Sequence, residues 1–203
     1  MTQIPLIRRR NAMATAILVG VGLGKPLAGF AQSGKSALNL AMVAEPPTLD
    51  IQSTPADLVC IIMQHVYEPL FTFDAKAALV PMLAESMPKI SGDGKLYDIT
   101  LRKGVMLHSG RELNADDVVA SLRRWMEVSP RGKSVAAQVA DLTAKGPLTV
   151  EISLKNAYAP LLSQLAMASG MAAIMAKESL AQPLREYVGT GPYRFKEDRK
   201  SVV

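Results

Sequence analysis

Cysteine is nearly missing from this chain: Cys60 is the one thiol among 203 residues. One thiol forms no internal disulfide, so a disulfide-stapled scaffold is excluded while export stays open. Cys60 sits in LVCIIMQHVY, an apolar stretch at helical spacing, and reads as core packing. Histidine occurs only at His65 and His108. Neither has a second histidine at metal-ligand spacing or a neighbouring cysteine, so the sequence offers no metal site and no Cys–His nucleophile. Both histidines read as packing or hydrogen-bonding residues. Long apolar runs are also absent. The longest, residues 12–23, falls well short of the roughly 20 residues that a membrane-spanning helix needs.

Negative charge is missing from residues 1–31, which carry Arg8, Arg9, Arg10 and Lys25. These are four of the 23 basic residues, so a chain starting at Gln32 holds 19 basic against 18 acidic residues. The pI near 9.4 therefore belongs to the N-terminus. No basic cluster interleaved with aromatics follows, which leaves nucleic acid without a footprint.

An arginine run, an apolar core and the small residues Gly29 and Ala31 form the layout of a secretory signal peptide cut after Ala31. The arginines partly match a twin-arginine signal, but Asn11-Ala12-Met13 lacks the usual large apolar pair, so the export route is open. Leu27-Ala28-Gly29 opens like a lipoprotein site, yet Phe30 stands where the lipidated cysteine belongs. The expectation is a soluble periplasmic protein without a lipid anchor.

GFAQSGKS, residues 29–36, matches the phosphate-loop pattern G-x-x-x-x-G-K-[ST]. Such a loop works only between a buried strand and a helix N-terminus. Here cleavage would split it, and residues 36–43 read as a short strand running into Pro46 and Pro47. A P-loop NTPase using Lys35 and Ser36 is the competing reading and requires an uncleaved chain.

Further on, residues 55–67 read as a helix with Leu58, Ile61, Ile62 and Val66 on one side, followed by a brief strand over residues 70–73. Residues 80–90 read as a short helical turn entering a strand. Gly92-Asp93-Gly94 is the strongest turn signal and places a hairpin before the alternating residues 96–102. Asn114 caps a helix whose first turn holds Asp116 and Asp117, carboxylates that favour the helix dipole rather than forming an acid–base pair. LTVEISLK reads as a strand, residues 159–165 and 177–180 as helices, and Met167, Met171 and Met175 as the core face of a helix.

The motif order resembles the extracytoplasmic solute-binding proteins of ABC transporters, in the large group that takes dipeptides, oligopeptides and nickel complexes. The resemblance rests on EPPTLD (45–50), VYEPL (66–70), VPMLAES (80–86), LRKGVMLHSGRELNADDVVASL and GTGPY (189–193). Ile51 and Met87 depart from the usual proline and tryptophan. The resemblance implies a mixed α/β, periplasmic-binding-protein-like (class II) first lobe spanning residues 32–197, incomplete because such proteins are typically more than twice as long. It implies a non-enzymatic, monomeric receptor without cofactor that hands a peptide or similar small solute to the membrane subunits of an ABC permease. It further implies that the loop Ala44, Glu45, Pro46, Pro47, Thr48 borders the ligand cleft. Residues 129–134 are expected to form a second cleft-facing loop whose Arg131 and Lys133 meet an acidic group. Residues 198–203, DRKSVV, match one reading frame of a widely used sequencing adapter and are expected to be a non-native tail.

Overall fold

Alternating residues build the centre of the molecule. In the computed structural model, which describes residues 40–197, Leu96–Thr100 (β4) turns Tyr97 and Ile99 into the core and leaves Leu96 and Asp98 partly exposed. The expected hairpin is present: Lys89–Ile90 (β3) pairs antiparallel with β4 across the Gly92-Asp93-Gly94 turn. Asp93 organises that turn by accepting from the Ser91 hydroxyl and the Lys95 N–H, and the Ser91 hydroxyl is the main cause that holds its carboxyl below the ordinary value. Thr149–Leu154 (β6) pairs with the other side of β4, setting Tyr97 opposite Ile152 and Ile99 opposite Val150. Val139–Gly146 (β5) pairs with β6, giving a four-stranded antiparallel sheet in the order β3-β4-β6-β5.

Ala115–Val128 (α2) lies on this sheet, with Val118, Leu122 and Trp125 in one core with Tyr97, Ile99, Leu142, Val150 and Ile152. Pro130–Ala136 (α3) follows at once, where the sequence led us to expect a loop over residues 129–134. Pro130 at the first helical position starts the helix with its φ already set. Gly132 lets it pack tightly, because a Cβ there would lie 2.0 Å from the Trp125 carbonyl oxygen.

Asp57–Met63 (α1) is shorter than expected and rotated. It buries Val59, Cys60 and Met63 against Met171 and Met175, and leaves Ile61 47% exposed. Phe71–Phe73 (β1) pairs with Leu79–Pro81 (β2), replacing the expected helical turn at the start of residues 80–90. The Asp74 carboxylate closes that hairpin by accepting from the N–H groups of Lys76 and Ala78. Leu161–Ala166 (α4) stops before the methionine series. Met171 and Met175 are core residues, but on extended chain rather than on a helix, since the backbone is already extended at Met167 (ψ 130°) and Gly170 then takes a φ of +60°. Met167 is 38% exposed.

Residues 40–43 carry no strand. The rest of that expected strand, the signal at 1–31, the phosphate-loop match at 29–36 and the tail at 198–203 lie outside the described residues. Among the described residues no helix is long and apolar enough to cross a membrane, and no three His, Cys, Asp or Glu side chains converge to hold a metal.

Candidate functional site

The chain just after the expected binding loop, at Asp50 and Gln52, is held by one face of α2. Asp117, Ser121, Arg124 and Trp125 stand at helical i, i+4, i+7 and i+8 positions, and each reaches a segment distant in sequence. Arg124 grips the Asp50 carboxylate with both terminal nitrogens and donates to Gln52 Oε1 at 2.8 Å. Gln52, fully buried, donates onward to the carbonyls of Ser121 (3.1 Å) and Ala173 (2.9 Å). The Ser121 hydroxyl donates to the Met175 carbonyl and accepts from the Met175 N–H, while Trp125 Nε1 donates to the Gly170 carbonyl at 2.9 Å. Extended backbone at 170–177 thus finds in α2 side chains the partners that a sheet would have supplied.

Asp117 completes the face. Its carboxylate accepts from the Asn114 and Lys177 N–H groups and pairs bidentately with Arg111, which also binds Glu178. The capping reading of Asn114 and Asp117 holds, since the two side chains cap each other's backbone. Asp116 is separate and pairs with Lys177 Nζ at 3.1 Å. Burial pushes the Asp117 carboxyl up, but the hydrogen bonds from Arg111, Lys177 and Asn114 hold it below its ordinary value.

This network sets where the predicted site residues lie. Ala44, Glu45 and Pro47 are exposed and Pro46 and Thr48 half-buried, on irregular chain just before the Asp50 anchor. Thr48 Oγ1 accepts from the Asp50 N–H at 3.1 Å, which ties the loop's end to that anchor. Arg131 lies in the first turn of α3, half-buried, with its Nη1 covered and without a hydrogen-bond partner. Ser129, one step before α3, likewise keeps a buried hydroxyl unpartnered. It faces Gly170, whose hypothetical Cβ would stand 3.7 Å from Ser129 Oγ and 3.9 Å from Pro55 Cα. Ser169 Oγ donates to the Pro55 carbonyl at 2.9 Å. No hydrogen bond or ion pair joins Arg131 to residues 44–48; the segment 50–55 spans from one anchor to the other.

Two further unpartnered buried atoms, Tyr67 Oη and Arg124 Nε, belong to residues that sense the Asp50 anchor. Burial pushes the Tyr67 phenol far up, so it stays neutral. Burial also raises the Cys60 thiol, which bonds the Ala168 carbonyl and has the character of a packed residue rather than a nucleophile.

GTGPY forms a strap across the end of α1. Gly191 N–H donates to the Val66 carbonyl, Tyr193 N–H to the His65 carbonyl, and Thr190 Oγ1 to Glu68 Oε2 at 2.7 Å. A Cβ on Gly189 would come within 2.2 Å of the Val66 oxygen, and one on Gly191 within 2.5 Å of the His65 oxygen. The two glycines of the motif are therefore the price of close backbone approach.

Comparison with known proteins follows the same lines. Residues 78–203 match the family model described as bacterial extracellular solute-binding proteins, family 5 middle. A probable peptide ABC transporter periplasmic-binding protein of Sinorhizobium fredii is 29% identical over 198 residues, covering 95% of this chain and 37% of that protein. The glutathione-binding protein GsiB of Escherichia coli K12 is 30% identical over 182 residues, 88% of this chain and 35% of that one. Among solved structures, a dipeptide-binding protein of Pseudoalteromonas sp. SM9913 in complex with Met-Leu superposes with a TM-score of 0.68 at 30% identity, over 77% of this chain and 36% of its own. The chain thus spans little more than a third of the length of these relatives.

Proposed function

Since the chain belongs to the bacterial extracellular solute-binding proteins of family 5, we propose that it forms one wall of a periplasmic receptor that captures a peptide or similar small solute for an ABC importer. The receptor catalyses nothing and acts as a monomer. It reaches the periplasm through the signal at residues 1–31, without a lipid anchor. Affinity comes from closure of two lobes on the solute, driven by contacts that exist only in the closed state.

The observation that carries the reading is the anchoring of the 44–56 loop. Asp50 and Gln52 are locked to α2, so the loop ahead of them presents its main chain from a rigid base, as recognition of an extended peptide backbone requires. Arg131 supports a second contact. A solute carboxylate beside it would supply the partner its Nη1 lacks, in a charge-assisted bond. Ser129 adds a donor next to it.

A chimera tests this, with residues 41–197 replacing the matching segment of the Sinorhizobium fredii relative. Peptide binding is expected to survive the exchange and to weaken about tenfold or more with Arg131→Ala, the loss of one charge-assisted bond. A folded chimera whose peptide affinity is indifferent to Arg131 contradicts its assignment as the solute contact. A folded chimera that binds no peptide contradicts the receptor reading itself.

A further inference from the structure

A small hollow lies beside the turn that faces Ser129. Tyr67 from the chain after α1, Thr72 from β1, Met82 just after β2, and Ala166, Ala168 and Met171 from the end of α4 and the turn beyond it surround about 200 Å³. Backbone bonds hold these walls. The Tyr67 N–H donates to the Met63 carbonyl and the Met82 N–H to the Leu70 carbonyl, both at 2.9 Å, and the Cys60 thiol donates to the Ala168 carbonyl at 2.6 Å. The exposed Gln64, His65 and Ala168 stand at the mouth, and the buried Tyr67 and Met171 close the inner end.

The hollow is continuous with the Arg131 site. Ala168 lines it and is bonded by Cys60, a thiol that burial chiefly raises and that lies within the field of Arg131, which opposes the rise. Two residues further on, Gly170 stands against Ser129. The 168–171 turn therefore meets Ser129 at one position and walls the hollow at two others, so the hollow belongs to the surroundings of Ser129 and Arg131.

Size and charge decide what fits. Sites for whole drug-sized ligands run to about 300–1,000 Å³, so about 200 Å³ holds one side chain. The polar groups of the lining come from Gln64, His65, Tyr67 and Thr72, with no Asp, Glu, Lys or Arg among them, and the Tyr67 phenol is neutral. A charged side chain entering would shed water and find no opposite charge, whereas an apolar one meets Met82, Ala166, Ala168 and Met171. From this geometry we infer that the hollow is the side-chain subsite of the receptor: it takes the apolar side chain of the residue whose carboxylate pairs with Arg131. This role rests on the solute contact proposed for Arg131, and it adds the class of peptide preferred, one ending in an aliphatic or aromatic residue.

Titration of the 203-residue chain, labelled with ¹⁵N and with ¹³C in its methyl groups, tests this role with Gly-Gly, Gly-Leu and Gly-Lys. The three peptides share a backbone and a carboxylate, and each should shift Ser129 and Arg131. Gly-Leu alone should also shift the methyls of Ala168 and Met171 and bind about tenfold tighter than the other two, the gain expected when an apolar group fills a pocket. Ala168→Leu, which fills the hollow, should erase that difference. Equal binding of Gly-Leu and Gly-Gly beside Arg131, the same gain for Gly-Lys, or a Gly-Leu preference that survives Ala168→Leu would overturn the subsite and leave the Arg131 contact standing. If no peptide shifts Arg131, the contact itself fails and the subsite falls with it. The peptide comparison needs no variant and decides the matter even where Ala168→Leu fails to fold.

Discussion

Removing the Asp117 carboxylate should cost this lobe about 2–3 kcal/mol, and the sum can be followed bond by bond. Asp117 is fully buried and serves three structures at once: the capping box of α2, the Lys177 backbone and the Arg111–Glu178 cluster. Asp117→Ala loses the reciprocal cap, worth about 1 kcal/mol. It also leaves the part-buried Lys177 N–H without its acceptor, which costs about 1 kcal/mol, the low end for an unmade bond. Arg111 adds less than about 1 kcal/mol, because its side chain is 35% exposed and keeps Glu178. For a domain of about 150–250 residues, about 2–3 kcal/mol lowers Tm by roughly 4–12 °C. Thermal unfolding followed by circular dichroism, with a urea titration alongside, measures the effect. Glu178→Ala, truncating a side chain that is 52% exposed, is the control and should cost under about 1 kcal/mol. The acid limb gives an independent check. The folded-state pKa of Asp117 is depressed, so its contribution is complete above the unfolded carboxylate value of about 3.9 and is lost as pH falls through the folded value. Asp117→Asn should therefore show a shallower acid limb than the unaltered chain. If Asp117→Ala costs no more than Glu178→Ala, the account of α2 as the anchoring face is wrong.

Three other outcomes follow from the same geometry. Gly191→Ala should destabilise by about 2–3 kcal/mol in urea, because the added Cβ meets the backbone of His65 and Val66, whereas Gly92→Ala, with open space around it, should stay within about 0.5 kcal/mol. Arg124→Met should cost about 3–5 kcal/mol by stranding Asp50 and Gln52, and the double variant with Asp50→Asn should recover part of that loss in a double-mutant cycle. Residues 1–31 fused to a reporter active only outside the cytoplasm should give activity, and replacing Arg9 and Arg10 together with lysine should reduce it only on the twin-arginine route; cytoplasmic retention of the unaltered fusion refutes the signal.

What the sequence revealed was local. The Gly92-Asp93-Gly94 turn and the Asn114 cap act within a few residues, and both stand where the spacing put them. The α2 anchoring face stayed hidden because Asp117, Ser121 and Arg124 at helical spacing look like a solvated stripe, yet they are 0%, 0% and 7% exposed. Their partners lie far along the chain: Gln52 bonds Ala173 across 121 residues, a pairing no local pattern encodes. The one available signal was that the apolar residues Val118 and Trp125 adjoin that stripe. β5 went unread for a related reason. VADLTAKG lacks the β-branched and aromatic density of a strand and forms one through its pairing with β6. Arg131 was legible as a cation, but its place on a helix depended on Gly132 fitting beneath Trp125, a tertiary fact.

The central claim is that this lobe offers one wall of a solute site, made by the 44–48 loop and Arg131. Competent sites bury about 70–90% of a ligand, and a single wall buries about half of that, so binding by this chain alone should be no tighter than about millimolar. Chemical-shift mapping of the ¹⁵N-labelled chain with a dipeptide, from micromolar to tens of millimolar, reads affinity and location together. The account predicts fast-exchange shifts confined to Ala44–Thr48 and the surroundings of Ser129 and Arg131, without saturation at micromolar ligand. Saturable micromolar binding, or shifts centred instead on the cavity lined by His108, Arg185 and Arg194, would contradict it.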